Sequence, residues 1–224
     1  MTETTTEQPT TKELRRRLLE TRLASAEMSR RTQELQRDRY EREEAKRQAR
    51  EALENFTYNL HEAILPHAVG ALSAWLEDRA LRFPNSKLEV RISSPGGSVF
   101  DGLALMDTMK HVRSRGVHLT VVIQGWAASM AGIIAQAADH RIIAKDSYLM
   151  IHTVSQGVFG RMETKDFLDE AELCKRLTLH GCEAYAERSG GKWTAQALYE
   201  VTLRKDWWLT AAESLAEGFV DEVR

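Results

Sequence analysis

The residues of this sequence that could perform covalent chemistry lie in three short stretches. In "SSPGGSVFDG", Gly96 and Gly97 stand between an expected strand and an expected helix, where backbone N–H groups can turn outward to bind negative charge. In "GWAASMAG", Ser129 is the one hydroxyl among small residues, and in "LMIHT", His152 ends an apolar strand. A hydroxyl, an imidazole and outward-facing N–H groups are the parts of an acyl-transfer site.

Each stretch also has an ordinary structural interpretation. The glycine loop could be a turn without a ligand, and it lacks the lysine of a phosphate-binding loop. Ser129 could be the N-cap of a helix, and His152 could be a structural or surface histidine. The chemical interpretation therefore requires that the three stretches meet in space, with Ser129 on a sharp strand-to-helix turn.

An acyl-transfer serine enzyme also needs an acid that orients its histidine. Spacing alone leaves six candidates open: Asp139, Asp146, Asp166, Asp169, Asp206 and Asp221.

The elements that would position these residues alternate between strand and helix. Residues 88–92, "LEVRI", alternate as a strand does, and "VHLTVVIQG" predicts a second strand that ends near Gln124. Gly125 is expected to turn the chain, and "SMAGIIAQAAD" predicts a helix that begins around Ser129. Further on, a long helix stops at Gly190, and Thr210 with Glu213 forms a capping box. This alternation predicts an α/β fold of βαβ units around a mostly parallel sheet.

The chain divides into three segments by composition. Residues 1–11 are rich in threonine and predict a disordered tail. Residues 12–54 lack glycine and proline, which predicts a long charged helix with a weak coiled-coil seam whose middle third is polar. Residues 55–224 contain the three stretches and predict the globular domain.

Composition excludes several classes of function. The formal net charge of −2 gives no reason to expect nucleic acid or an anionic membrane as a partner. No apolar run has the length of a membrane helix, and the N-terminus does not have the pattern of a secretory signal. Cys174 and Cys182 are expected to be reduced, without metal-ligand spacing, in a cytoplasmic protein.

Four motifs together resemble one known family. "SPGGSVFDG", "GWAASMAG", "MIHTVSQGVFG" and "RKDWWLTAAESLAEGFVDEV" occur in the order and rough spacing of the Clp-type serine protease subunit, ClpP. The resemblance runs from about Leu88 to the C-terminus. It implies a crotonase-like fold of repeated βαβ units.

The resemblance also implies roles for five residues. Ser129 matches the nucleophile, His152 the general base and Asp206 the acid that holds the histidine. Gly97 and Met130 match the positions whose N–H groups form the oxyanion hole. No metal or organic cofactor is implied. We further expect Trp126, which is bulky in a run of alanines, to line the substrate cleft.

The family's assembly implies protein or peptide substrates, heptamer-like rings that enclose the active sites, and an ATP-driven unfoldase as partner. The sequence departs from the family in its long charged helix and in "HTV" after the histidine. Related proteases trim phage scaffold and capsid proteins, which is a second role compatible with the motifs. The same fold would also suit a serine–lysine protease like signal peptide peptidase A, a non-catalytic ring-forming subunit or an acyl-CoA enzyme.

Overall fold

The computed structural model describes residues 11–157, 160–161 and 163–224. The chain divides into two compact units, residues 1–55 and 56–224. The predicted disordered tail therefore lies outside the described residues, except for Thr11, which is helical.

The described part of the first unit is helical: helix α1, Thr11–Phe56, begins one residue before and ends two residues after the predicted segment 12–54, and its last residue belongs to the second unit. Pairs of opposite charge one turn apart, such as Arg16 with Glu20, lie along its exposed surface. Leucines of the predicted seam, including Leu14 and Leu18, are exposed in the described part of α1. The coiled coil thus stays a prediction. None of the helices in the described ranges combines the length and the apolar character that crossing a membrane requires.

The second unit alternates strands and helices as predicted. Its described elements are β1 (Thr57–Leu60), α2 (Pro66–Arg82), β2 (Lys87–Ser94), α3 (Val99–Ser114), β3 (His118–Ala128), α4 (Met130–Ala135), β4 (His140–Ile143), β5 (Tyr148–Ile151), α5 (Thr164–Arg188), α6 (Ala195–Thr202), β6 (Trp207–Thr210), α7 (Ala211–Ala216) and β7 (Glu222–Val223).

One mixed sheet organises this unit. Strands β1, β2, β3, β4 and β7 lie in that order and are all parallel. β5 pairs parallel with the second half of β3, and β6 pairs antiparallel with β5. Helices α2, α3 and α4 connect successive parallel strands, so the predicted α/β fold of βαβ units is confirmed. The sequence pattern does not predict β1 or β6.

Strand β3 is longer than predicted, which corrects the expected end near Gln124. It continues to Ala128 because its second half has partners on both sides: Ala127 pairs with Ser94 of β2, and Trp126 pairs with Tyr148 of β5. The register shifts between Ile92 and Ser94, so β3 absorbs extra residues there. Gly125 does not end the strand.

The helix after β3 is shorter than "SMAGIIAQAAD" predicts. It covers Met130–Ala135, and the chain then turns before β4. Gly132 lies in α4 directly against the hydroxyl of Tyr185, a fully buried residue of α5. At the far end of the sheet, the Thr210–Glu213 capping box is present and begins α7 as predicted.

Candidate active site

Ser129 occupies a strained turn between β3 and α4. Its backbone has φ 54° and ψ −127°, a region that non-glycine residues seldom adopt. Ser129 stands at the N-cap position, yet its side chain makes no capping hydrogen bond. The ordinary interpretation as a helix cap therefore does not explain this serine. Backbone strain that the surrounding structure maintains is typical of functional positions.

His152 lies directly after β5 and contacts the serine. The parallel pairing of Ala128 with Met150 brings the end of β3 beside the end of β5. The Ser129 N–H donates to the Met150 carbonyl at 2.9 Å, which fixes the turn against this strand. The Nε2 of His152 lies 2.8 Å from the Oγ of Ser129. The structure thus brings together the hydroxyl and the imidazole that the sequence analysis singled out.

Asp206 reaches the other nitrogen of the imidazole, but at a longer distance. In the β5–β6 ladder, Ile151 is opposite Trp207, so one further step in register places His152 opposite Asp206. The Nδ1 of His152 is 3.9 Å from the Oδ1 of Asp206, which is beyond hydrogen-bond distance. The carboxylate side chain is 66% exposed. His152 and Asp206 therefore form an ion pair, without a hydrogen bond, when His152 is protonated.

The remaining aspartate candidates have other surroundings. Asp146 is exposed in the turn before β5, and Asp166 accepts the Glu163 N–H at the start of α5. The other three pair with basic side chains: Asp139 with Arg113, Asp169 with Lys165, and Asp221 with Arg141. Within the described ranges, Asp206 is thus the candidate whose carboxylate approaches His152.

The glycine loop approaches the serine turn from β2. Gly97 forms a parallel bridge with Ile64, in which Ile64 donates to the Gly96 carbonyl and accepts from the Ser98 N–H. In such a bridge the N–H of the central residue points to the opposite side, away from Ile64. Gly97 has φ +152°, and a Cβ there would overlap the Ile64 backbone. Only glycine fits this position without displacing the loop.

The glycine loop and the start of α4 meet at Ser129. A Cβ on Gly96 would lie 2.7 Å from the Ser129 Cβ and 3.0 Å from the Met130 nitrogen, so the loop packs against the serine turn. Met130 is the first residue of α4, and the first N–H groups of a helix have no intrahelical acceptor. The Met130 N–H thus directly follows Ser129, and Gly97 belongs to the loop that packs against this turn.

An apolar cavity opens beside this pair. It lies between α3, α4, the end of β5 and α5, and its lining residues are Val99, Leu103, Ser129, Met130, Ile133, Ile151, His152, Val154, Leu177, Thr178, His180, Gly181, Cys182 and Tyr185. Burial raises the pKa of the Cys182 thiol to about 11, so this thiol is protonated at neutral pH. A side chain of a bound acyl group would find a mostly hydrophobic environment here.

The α5 residues of this cavity were missed by the sequence reasoning. The helical pattern of "METKDFLDEAELCKRLTLHGCEAYAERSG" identifies α5. It does not reveal which of its turns faces Ser129, because that depends on packing between elements far apart in sequence.

Trp126 does not line this cavity. It is 37% exposed on β3, and its ring stacks on that of Trp208, with centroids 6.1 Å apart and an angle of 8° between the planes. The expectation that Trp126 lines the substrate cleft therefore finds no support in this cavity.

The described part of the chain contains no group of three or more histidine, cysteine and carboxylate side chains placed to hold a metal ion.

The arrangement of Ser129 and His152 can transfer a proton. An imidazole nitrogen 2.8 Å from a hydroxyl is within the range required of a general base.

Comparison with known proteins agrees with this geometry. The model of a family described as Clp protease matches residues 75–224. The chain is 33% identical over 134 residues to a protein of Streptococcus equi subsp. equi, and 35% identical over 136 residues to one of Streptococcus gordonii. Both are named ATP-dependent Clp protease proteolytic subunit, and each match covers 59% of this chain and 65% of the relative.

The matched region contains β2 to β7, and with them the serine turn, the end of β5 and the start of β6. The resemblance inferred from the four sequence motifs is thereby confirmed, as is the fold that it implied. Since the family model covers more than half of the sequence, the chain belongs to the Clp protease family.

Proposed function

We propose that this protein is a serine endopeptidase in which Ser129 is the nucleophile and His152 the general base. The observation that carries the proposal is the 2.8 Å contact between Ser129 Oγ and His152 Nε2. Ser129 lies on a strained turn, and its side chain does not cap the helix that follows. The names of the relatives, which describe a proteolytic subunit, support a peptide bond as the substrate.

The proposed reaction uses these groups in two stages, acylation and hydrolysis. His152 Nε2 accepts the hydroxyl proton while Ser129 Oγ attacks the peptide carbonyl carbon. The N–H groups of Gly97 and Met130 stabilise the oxyanion, at about 3 kcal/mol per donor in comparable enzymes. The C–N bond then breaks as the imidazolium gives its proton to the leaving amine. Water, deprotonated by His152, hydrolyses the resulting ester and restores Ser129.

Asp206 would act through His152 rather than on the substrate. A carboxylate opposite Nδ1 favours the tautomer that carries its proton there, which leaves Nε2 free to accept from Ser129. It also stabilises the imidazolium that forms in the transition state.

Labelling with a fluorescent fluorophosphonate tests this assignment, because the probe reacts with activated serines. We expect the wild-type protein to be labelled, and Ser129→Ala and His152→Ala to lose the label. Ser114→Ala is the matched control, since Ser114 is an exposed serine whose hydroxyl bonds only to the His111 carbonyl within the described residues. Label retained by Ser129→Ala would refute the proposal, as would cleavage of casein by that variant at the parent rate.

The geometry favours this proposal over different functions of the same fold. The hydroxyl of Ser129 bonds to an imidazole, whereas a serine–lysine protease would present an amine there. A ring-forming subunit without catalysis would have no need of a strained serine beside a histidine. An acyl-CoA enzyme is tested directly by a thioester hydrolysis assay, in which we expect no turnover.

We further propose that the enzyme works as a subunit of a homo-oligomeric ring in the cytoplasm, with an ATP-dependent unfoldase as partner. The relatives' names, which combine "ATP-dependent" with "subunit", support this. The two free cysteines, Cys174 and Cys182, are consistent with a reducing compartment.

Trimming of phage scaffold or capsid proteins is the second role, which the long α1 ahead of the matched region favours. Light scattering with and without residues 1–55 tests whether α1 takes part in assembly. An unchanged subunit number would mean that it does not.

A further inference from the structure

Three exposed aromatic side chains form a patch on strands β3, β5 and β6. Trp126 is 37% exposed, Tyr148 46% and Trp208 48%. Trp126 pairs with Tyr148 in the sheet and stacks on Trp208. We call these three residues the aromatic patch. Contiguous exposed apolar patches often mark sites that bind a ligand or a partner. Tryptophan and tyrosine are enriched among the residues that contribute most to binding.

The aromatic patch lies on the same face of the sheet as two of the proposed catalytic residues. Side chains two residues apart in a strand point to one face. Along β5, Tyr148 and Met150 are more exposed than the buried Leu149 and Ile151, so the exposed face continues to His152.

The same alternation holds along β6. Trp208 is exposed, and Leu209 is buried. Asp206, two residues before Trp208, therefore belongs to the exposed face as well. Trp208 thus lies two strand residues, about 7 Å, from Asp206 along β6, and Tyr148 lies four residues, about 13 Å, from His152 along β5.

We propose that the aromatic patch is a subsite that binds an aromatic or aliphatic side chain of the peptide substrate, away from the scissile bond. This inference rests on the proposed function. An extended peptide with its reacting carbonyl at Ser129 advances about 3.3 Å per residue, so a side chain about two to four residues from the cut reaches the patch. The indole faces of Trp126 and Trp208 offer stacking and a large apolar contact to such a side chain.

The position of the patch favours a substrate over a permanent partner as its occupant. The patch is continuous with His152 and with the exposed Asp206. A subunit bound permanently to the patch would block access to His152 and Asp206. A peptide substrate, in contrast, can contact the patch and the catalytic residues at the same time.

Internally quenched peptides that differ at a single position test the proposal. Phe and Ser are placed in turn at two, three and four residues on either side of the scissile bond. We expect the wild-type enzyme to prefer Phe at one of these positions by about tenfold in kcat/KM, mainly through KM, which is the size expected of one aromatic contact. The double variant Trp126→Ala, Trp208→Ala should lose this preference, and Trp208→Phe should keep most of it.

The preference is the ratio of kcat/KM for the Phe peptide to kcat/KM for the Ser peptide on the same protein. A smaller fraction of folded enzyme lowers both values equally and leaves this ratio unchanged. Leu203→Ala is the control, because Leu203 is an exposed apolar residue at the end of α6, and it should keep the wild-type preference. If the double variant keeps the preference, the inference about the aromatic patch is wrong, and the proposed function is unaffected. A change in the subunit number of the double variant by light scattering would also overturn the inference, since the patch would then be a contact between copies. A wild-type protein that is not labelled by fluorophosphonate and cuts no peptide would instead refute the proposed function.

Discussion

His152 and Asp206 lie one residue beyond the last pair of the β5–β6 ladder, and no hydrogen bond joins their side chains. The imidazole Nδ1 lies 3.9 Å from the carboxylate, whereas its Nε2 is within 2.8 Å of the serine hydroxyl. The contact to the nucleophile is therefore formed in this structure, and the contact to the acid is loose and open to water. This difference separates the expected effects of removing each residue.

Asp206→Ala is expected to impair the enzyme far less than removal of the nucleophile. The carboxylate is 66% exposed, and water screens an ion pair of this kind. We expect kcat/KM for a peptide to fall about 10- to 100-fold, against about 10⁴-fold or more for Ser129→Ala. Steady-state kinetics on both variants measure this. A loss as large as that of His152→Ala would show that the carboxylate closes onto Nδ1 when substrate binds.

Gly97→Ala should abolish most of the activity while leaving the domain folded. The new Cβ would overlap the backbone of Ile64, and the loop must shift, which moves the Gly97 N–H away from the oxyanion. Loss of one such donor costs about 10²- to 10³-fold in kcat. Gly190→Ala is the control, because Gly190 also has a positive φ (67°) but has open space around it. Equal losses in the two variants would contradict this explanation.

Gly132 and Tyr185 are expected to show strong coupling in a double-mutant cycle. A Cβ on Gly132 would overlap the Tyr185 hydroxyl, which is fully buried and has no hydrogen-bond partner among the described residues. Gly132→Ala should lower the free energy of unfolding by about 1–3 kcal/mol. Tyr185→Phe alone should raise it by about 1 kcal/mol, because an unpartnered hydroxyl is removed from the core.

The double variant Gly132→Ala, Tyr185→Phe should regain most of the stability lost in Gly132→Ala, because the closest overlap is gone and the remaining one is with the end of the flexible Leu149 side chain. Urea denaturation of the four proteins measures the coupling. Additive effects would show that the overlap is relieved by movement elsewhere.

The Arg141–Asp221 pair predicts that stability falls at acid pH. Arg141 is 3% exposed and bonds to both carboxylate oxygens of Asp221. Burial would raise the pKa of Asp221, but the hydrogen bonds and positive charge of Arg141 outweigh it and lower that pKa. Because the folded-state pKa lies below the unfolded value of about 3.9, the stabilisation is complete above that pH and is lost as the pH falls further.

Thermal unfolding between pH 7 and pH 3 should therefore show a steeper loss for the wild-type protein than for Asp221→Asn. The variant should also be less stable at pH 7 by about 3 kcal/mol, since Arg141 is left buried without its charge partner. Parallel pH curves for the two proteins would contradict the role of this pair.

The sequence is most informative where chemistry and periodicity coincide. The βαβ alternation and the capping box at Thr210 are predictable from short stretches. Ser129 and His152 stand out there only as a candidate hydroxyl and imidazole, and it is the family resemblance that implies their pairing. Spacing alone does not identify the acid, because six aspartates fit it; only the family resemblance implies Asp206, and the β5–β6 register that brings it near His152 is contained in no local pattern. The predicted end of β3 is wrong for a similar reason: a glycine in a strand is a turn signal, and only partners on both sides keep Ala127 and Ala128 extended.

The placement of β6 has a consequence for how the site holds together in time. Ser129 follows β3, which is bonded on both sides, whereas Asp206 precedes β6, a four-residue strand that pairs with β5 alone among the described strands. Segments with few backbone partners open at a lower free energy than the rest of a domain. Amide hydrogens of β3 should therefore exchange with solvent far more slowly than those of β6. The proposed nucleophile, Ser129, would then be held by the part of the sheet that opens least often, whereas Asp206 would belong to a segment that detaches and re-forms without unfolding of the domain.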